Sequence, residues 1–237
     1  MRKLINTTYR TNDAEIMDDF SIEGPILHDT LNTLANINKW LGGNAVTLNA
    51  LKSLLANYPK NRPLTIIDLG CGGGDILRRI AKYGQKEGYT FQLIGVDANK
   101  EAVVYAQQLS EAYPNISYVA CNILSEQFDA LEYDIVLATL FLHHFENEQI
   151  TKLLTKLTQK AKLGIIINDL HRHAWAYYLF KIVCIPIKNQ MIIDDGLTSI
   201  LRGFKRKELI AFSKQLNATP KISWKWAFRY QWIIQKK

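Results

Sequence analysis

The rhythm of hydrophobic and polar positions changes three times along this chain. Between residues 24 and 57 apolar positions such as Ile26, Leu27, Leu31, Leu34 and Ile37 recur at helical spacing, with a break at Gly42-Gly43 and a stop near Pro59. Two or three helices are predicted there. From Leu64 short β-branched runs alternate with longer helical ones, predicting strands over 64–69, 91–96, 116–120, 133–138 and 163–168 and helices around 75–83, 99–112 and 147–160. Runs such as Ile135-Val136-Leu137 and Ile165-Ile166-Ile167 are apolar on both faces, as buried parallel strands require. The fold class that follows is α/β, a doubly wound and mostly parallel sheet with an N-terminal helical extension.

After Asp169 the alternation lapses. A helical, aromatic-rich segment holding Trp175, Tyr177, Tyr178 and Phe180 precedes a polar stretch, Asp194-Asp195-Gly196, read as a loop, and a helix near 205–216. From Ile222 to Ile234 the even positions are apolar, while Lys221, Ser223, Lys225, Arg229 and Gln231 are polar, which is strand periodicity with one covered face. One long strand and two strands joined near Ala227 both fit this pattern.

Composition narrows the function classes. A chain of 237 residues with 48% apolar and 22% charged types buries a sizeable core without staples, and 13 glycines and 6 prolines exclude fibrous or low-complexity polypeptides. Cys71, Cys121 and Cys184 are odd in number and show no CxxC spacing, so neither a disulfide framework nor a zinc site is expected, and a reducing compartment is. The opening residues lack the apolar core of a secretory signal, which points to the cytoplasm. The most apolar run, 175–187, carries Lys181 and Pro186 and falls short of the roughly 20 residues of a membrane span. The net charge of +7 is scattered, with Lys205-Arg206-Lys207 its one tight cluster, and selects no partner.

The chemistry concentrates in IIDLGCGGGD, residues 66–75, where a buried strand runs through Gly70, Gly72 and Gly74 into a helix. Glycines there let the backbone turn sharply and approach a ligand closely. A dinucleotide fingerprint would need glycine at 75; Asp75 stands there instead and repels a pyrophosphate, and no Gly-Lys-Ser/Thr follows to make a P-loop. The ligand therefore bears no phosphate at this loop. The next strand ends LIGVDAN, setting Asp97 where a carboxylate accepts both ribose hydroxyls, and Asp68 stands ready for a ligand ammonium. Together they describe a site for an amino acid joined to a nucleoside.

D-x-G-x-G-x-G, a strand ending in Val-Asp, and DIVLATLFLHHF resemble the class I S-adenosylmethionine (SAM)-dependent methyltransferases of the ubiquinone-biosynthesis-like subgroup, over residues 64 to about 170 and more loosely in SILRGFKRKEL. The resemblance implies a seven-stranded sheet with its last strand antiparallel, so the alternating tail divides in two. It implies that Asp68 and the loop Gly70, Cys71, Gly72 and Gly74 hold the methionine part, Asp97 with Ala98 the ribose, and Asn122-Ile123 the adenine. Thr139 and Leu140 would border the sulfonium. The subgroup more often carries aspartate where Asn122 stands; the amide oxygen accepts from the adenine amine without charge. Residues 1–60 are then a helical cap, and 61–237 the SAM-binding domain with a lid insertion at about 171–203.

For catalysis, one of His143 and His144 should face the cleft, and His144 is the candidate; His171 and His173, directly after the fifth predicted strand, are the others. Both also read as groups that begin and cap the next helix. No metal is expected, because Ala138-Thr139-Leu140 supplies no acid to complete the magnesium ligands begun by Asn168-Asp169. The expected reaction is methyl transfer to oxygen, and second to ring carbon, of a hydrophobic or aromatic small molecule admitted under an aromatic lid. RNA or tRNA methylation is the first alternative; the sequence ATLF replaces the N/D-P-P-Y motif of exocyclic-amine enzymes, and no cysteine lies beside a proline for pyrimidine-carbon chemistry. Nucleic acid is therefore not the expected partner. A non-catalytic SAM-binding module and an oxidoreductase are the remaining alternatives.

Overall fold

The computed structural model describes residues 5–216 and 221–236; residues 1–4 of the expected cap, and 217–220 and 237 of the expected main domain, lie outside the described residues. Seven strands form one sheet: β1 (Leu64–Leu69), β2 (Phe91–Asp97), β3 (Ile116–Ala120), β4 (Ile135–Thr139), β5 (Gly164–Leu170), β6 (Lys221–Lys225) and β7 (Arg229–Gln235). Their order is β3-β2-β1-β4-β5-β7-β6. The first five pair in parallel, and β7 lies antiparallel to both β5 and β6. The order reverses between β1 and β4, so the crevice at their carboxyl ends is where an open α/β sheet receives a ligand.

Helices α1 (Pro25–Trp40) and α2 (Gly43–Leu54) precede the sheet; α3 (Asp75–Glu87), α4 (Lys100–Leu109), the short α5 (Glu126–Asp129) and α6 (Asn147–Lys160) connect the parallel strands; α7 (Ala174–Val183), α8 (Gln190–Arg202) and α9 (Arg206–Gln215) separate β5 from β6. The central strands form because Ile135 to Ala138 and Ile165 to Ile167 are buried on both faces of the sheet. The crossovers bury one side only, as in α3, where Ile76, Leu77, Ile80 and Ala81 face inward. Asn99 starts α4 by accepting the Ala102 N–H at 3.0 Å, which fixes the turn after β2.

Residues 5–24 form a strap, with a single 3-10 turn at Ile16–Asp18, that crosses the carboxyl ends of the sheet. Polar contacts hold it: Arg10 donates to the carbonyls of Arg202, His143 and Phe145 at 2.7, 2.8 and 2.8 Å. The buried Arg172 donates to the carbonyls of Thr7 and Thr8 and pairs with Glu208 at 2.6 Å.

Two expectations change. The stretch Asp194-Asp195-Gly196 lies inside α8 rather than in a loop: Asp195 accepts the N–H groups of Ile16 and Met17 at 2.6 and 2.9 Å, and the missing Cβ of Gly196 admits the Phe180 ring. The tail divides into β6 and β7, yet its apolar parity does not share one covered face. Residues 229–234 of β7 are buried on both faces because this strand is flanked by β5 and β6, whereas Trp224 and Trp226 are exposed. The edge strand β6 carries the outward lysines Lys221 and Lys225. Among the described residues no helix is long and apolar enough to cross a membrane.

Candidate active site

β1 delivers its chain into a left-handed turn at Gly70 (φ 63°), where an added Cβ would come within 2.5 Å of the Phe141 ring. Gly74 (φ 72°) closes the loop against Tyr118 and begins α3. The Cys71 N–H reaches back to the Val96 carbonyl at 3.1 Å. Asp97 is aimed by the loop itself, one oxygen accepting Gly72 N–H at 2.9 Å and the other Asn99 N–H at 3.0 Å. Burial pushes its carboxyl up, and these N–H groups pull it back. Asp68 is 2% exposed and its Oδ1 has no hydrogen-bond partner. Burial, with Asp75 and Asp97 nearby, pushes that carboxyl well above its ordinary range. A buried acceptor left unpaired beside two other acids is a receptor for a cationic donor such as an ammonium.

The same cavity, about 610 Å³, is lined by Asp68, Gly70, Cys71, Gly72, Asp97, Ala98, Asn122, Ile123, Thr139 and Leu140. Gly74 belongs to the loop but not to the lining. Asn122 Oδ1 accepts the Leu124 N–H at 2.9 Å, which orients the amide and leaves the oxygen one further lone pair. Leu140 adopts φ 52°, strained for a side-chain-bearing residue, and its N–H donates to Asn168 O at 2.8 Å. Leu27 and Leu31 of α1 close the cavity from above the glycine loop, and Ala176, Leu179 and Phe180 of α7 wall its far side.

At that far side the turn after β4 is folded onto the end of β5 by Asp169. Its carboxylate accepts the N–H groups of Leu142 at 2.9 Å and His143 at 3.3 Å, and the His143 Nδ1–H at 2.7 Å. Burial works against this carboxylate, but its pairing with His143 and the Leu170 N–H hold it below its ordinary range. Being ionised, Asp169 only accepts, so Nδ1 of His143 is the donor, and in the neutral imidazole the lone pair is on Nε2. His144 bonds Asp18 Oδ1 through Nδ1 at 2.7 Å, and Arg202 holds the other oxygen of Asp18 at 2.7 Å. Glu15, from the strap, borders the cavity, and burial pushes its carboxyl up to about 7.

Both His143 and His144 therefore border the cavity, where His144 was expected; His143 is oriented by Asp169 of β5 and His144 by Asp18 of the strap. His171 and His173 do not border it. His173 caps α7 by accepting the Trp175 N–H at 3.1 Å, and His171 accepts from Trp224 Nε1 at 3.3 Å while packing on Tyr230. Burial and neighbouring cations lower His171 to about 4. The aromatic lid also differs: Trp175 and Tyr178 face outward, because the apolar helix α7 buries only Ala176. Glu15 and Asp18 lie in a segment without periodicity, and nothing local in the sequence singles them out.

A methyltransferase-domain family model matches residues 66–164, from β1 to the start of β5. The chain is 31% identical over 169 residues, 65% of its length and 72% of the relative's, to the 2-phytyl-1,4-naphtoquinone methyltransferase of Trichormus variabilis. The chain belongs to the class I SAM-dependent methyltransferases. This methyltransferase is also 32% identical over 139 residues to the ubiquinone biosynthesis O-methyltransferase of Rickettsia typhi, a match over 56% of the chain that spans about half, 51%, of that relative's length. Its fold is shared with the plantazolicin methyltransferase BpumL in complex with SAH, at a TM-score of 0.65 and 17% identity over 87% of this chain and 89% of the other. The methyltransferase uses SAM as its cofactor. Its Asp68 with an unpaired oxygen and the backbone of Gly70 and Gly72 on the cavity fit the ammonium and backbone approach that this molecule requires.

Proposed function

We propose that this protein transfers the methyl group of SAM to an oxygen of an apolar or aromatic small molecule, with ring carbon as the second choice. The observation that carries the reading is one continuous cavity running from the glycine loop to the His143–Asp169 pair. Asp68 would receive the cofactor's ammonium, the backbone of Gly70 to Gly74 and Cys71 its methionine part, and Asp97 with Ala98 its ribose hydroxyls. Asn122 and Ile123 would hold the adenine, and Thr139 and Leu140 would border the sulfur. When bound, SAM supplies an electrophilic methyl group on a sulfonium centre that leaves as a neutral thioether.

The chain's own part is alignment and proton handling. Ala176, Leu179, Phe180 and Ile200 offer the acceptor an apolar wall, and the strap with α7 and α8 excludes water from the reacting atoms. Orientation of this kind contributes on the order of 7–11 kcal/mol in well-aligned cases. His143 Nε2 takes the proton from an acceptor hydroxyl, and Asp169 stabilises the imidazolium that forms. We read residues 1–60 as the cap and about 171–203 as the lid of this site. The relative from Rickettsia typhi is named for O-methyl transfer, which agrees with an oxygen acceptor.

The test is mass spectrometry of products after incubating the enzyme and deuterated-methyl SAM with a panel of phenols, carboxylic acids and amines. Labelled methyl on a phenolic oxygen, lost in His143→Asn, is expected. Binding of SAM without transfer to any member, or transfer only to amines, refutes the acceptor chemistry.

A further inference from the structure

We infer that Glu15, His143 and His144 form a site for one divalent transition-metal ion, with an open position facing the acceptor cavity. The three side chains come from two distant parts of the chain, and their ligating atoms lie within 4.8 Å of one another. Glu15 Oε1 is buried and has no hydrogen-bond partner, although Oε2 accepts from Ser199 at 2.7 Å. Around Oε1 stand His143 Nε2 at 3.6 Å, Arg202 Nε at 3.8 Å and His144 Nδ1 at 3.9 Å. All three distances exceed a hydrogen bond. With coordination bonds of about 2.0–2.2 Å, ligand atoms around a tetrahedral ion are separated by about 3.4 Å. The two imidazole distances thus suit atoms sharing an ion better than atoms bonded to each other.

The tautomer of His143 agrees. Asp169 holds the hydrogen of His143 on Nδ1, so Nε2 offers its lone pair, in the carboxylate–histidine–metal arrangement by which outer carboxylates orient ligands. His144 Nδ1 donates to the ionised Asp18, so binding the ion moves its hydrogen to Nε2 and gives up that bond, while Asp18 keeps its pair with Arg202. Two imidazoles and one carboxylate select zinc, cobalt or manganese over magnesium or calcium, which prefer all-oxygen shells. Three protein ligands leave a fourth position, and Glu15, His143 and His144 all line the acceptor cavity. Resting on the proposed reading of that cavity, but with His143 Nε2 now a ligand rather than the base, an acceptor hydroxyl at the fourth position would give its proton to water and keep its lone pair on oxygen for the methyl group. The expectation of no metal considered only the ends of β4 and β5, where the third ligand is not found.

The experiment uses the full, untagged protein stripped with chelator. Zinc chloride is titrated by calorimetry and cobalt(II) by visible absorption, with S-adenosylhomocysteine (SAH) binding measured on the same samples. One equivalent bound with Kd of about 10 μM or tighter, and a cobalt spectrum of a four- or five-coordinate site, are expected. Glu15→Gln weakens the metal at least about tenfold and Asp169→Asn by about 10–100-fold, while SAH affinity is unchanged in Glu15→Gln. No heat and no cobalt band in wild type, or equal metal affinity in wild type and Glu15→Gln, overturns the site. Loss of SAH binding in the wild type strikes the methyltransferase reading instead, so the two failures are told apart.

Discussion

In the proposed reading Asp68 sets stability against cofactor binding, and Asp68→Asn separates the two. In the ligand-free protein its carboxylate is 2% exposed, with Oδ1 unpaired and Asp75 and Asp97 close enough to oppose its charge. A buried unsatisfied polar group costs about 1–3 kcal/mol, and a charged one more. The amide keeps the shape and one unpaired oxygen but removes the charge, a net gain of about 1 kcal/mol, or roughly 2–4 °C in Tm for a chain of this size. With SAH the sign reverses. A hydrogen bond to a charged group contributes about 1.5–3 kcal/mol, so the variant should bind about 10–150-fold more weakly.

The pH dependence follows from the same carboxyl. Its native-state pKa is raised above the ordinary 3.8, so stability is complete below that value and is lost as pH rises through the native pKa. Asp68→Asn removes that loss, and its advantage over wild type widens with rising pH. Wild-type SAH affinity rises over the same interval, since the carboxyl must ionise to receive the ammonium. Thermal melts with and without SAH from pH 5 to about 8, with calorimetric Kd values, measure both effects. A ligand-free variant that melts several degrees below wild type at neutral pH, or that binds SAH as tightly, refutes the reasoning.

Replacing His143 by Asn removes the Nε2 base while keeping a group that bonds Asp169, and transfer to an acceptor hydroxyl should fall by about 10²–10⁴ with SAH affinity retained; steady-state rates beside calorimetry check this. His171→Phe should leave the transfer rate unchanged, because His171 borders Tyr230 and Trp224 rather than the cavity; a large loss would restore it as a participant. Arg172→Leu strands the Glu208 carboxylate and the carbonyls of Thr7 and Thr8, and should destabilise by about 3–5 kcal/mol in urea melts. A loss within about 0.5 kcal/mol, ordinary for a surface change, would show that the strap does not depend on it.

What the alternation of the sequence records is local, and the parts of the molecule built locally were legible. Ile135 to Leu137 and Ile165 to Ile167 are apolar without interruption because parallel strands are covered on both sides, and the glycine loop is written in consecutive residues. The strap is not local. Glu15 reaches the cavity because Ile16 and Met17 bond Asp195, 179 and 178 positions away, inside a helix whose Asp-Asp-Gly reads as a loop until Phe180 is seen against Gly196.

The histidines show why order along the chain was insufficient. His143-His144 and His171-x-His173 both follow a parallel strand, so both pairs stand near the crevice and their sequence context is alike. Their fates part at Asp169. By accepting the N–H groups of Leu142 and His143, it folds the exit of β4 back over the end of β5 and turns His143 inward. Among the described residues no carboxylate anchors the exit of β5 in this way. There the His171 N–H bonds Phe228 O, and His173 is taken up as the cap of α7. Which histidine borders the cavity is thus decided by which of two neighbouring strand ends receives a buried carboxylate, a property of the sheet order β1-β4-β5 rather than of either histidine motif.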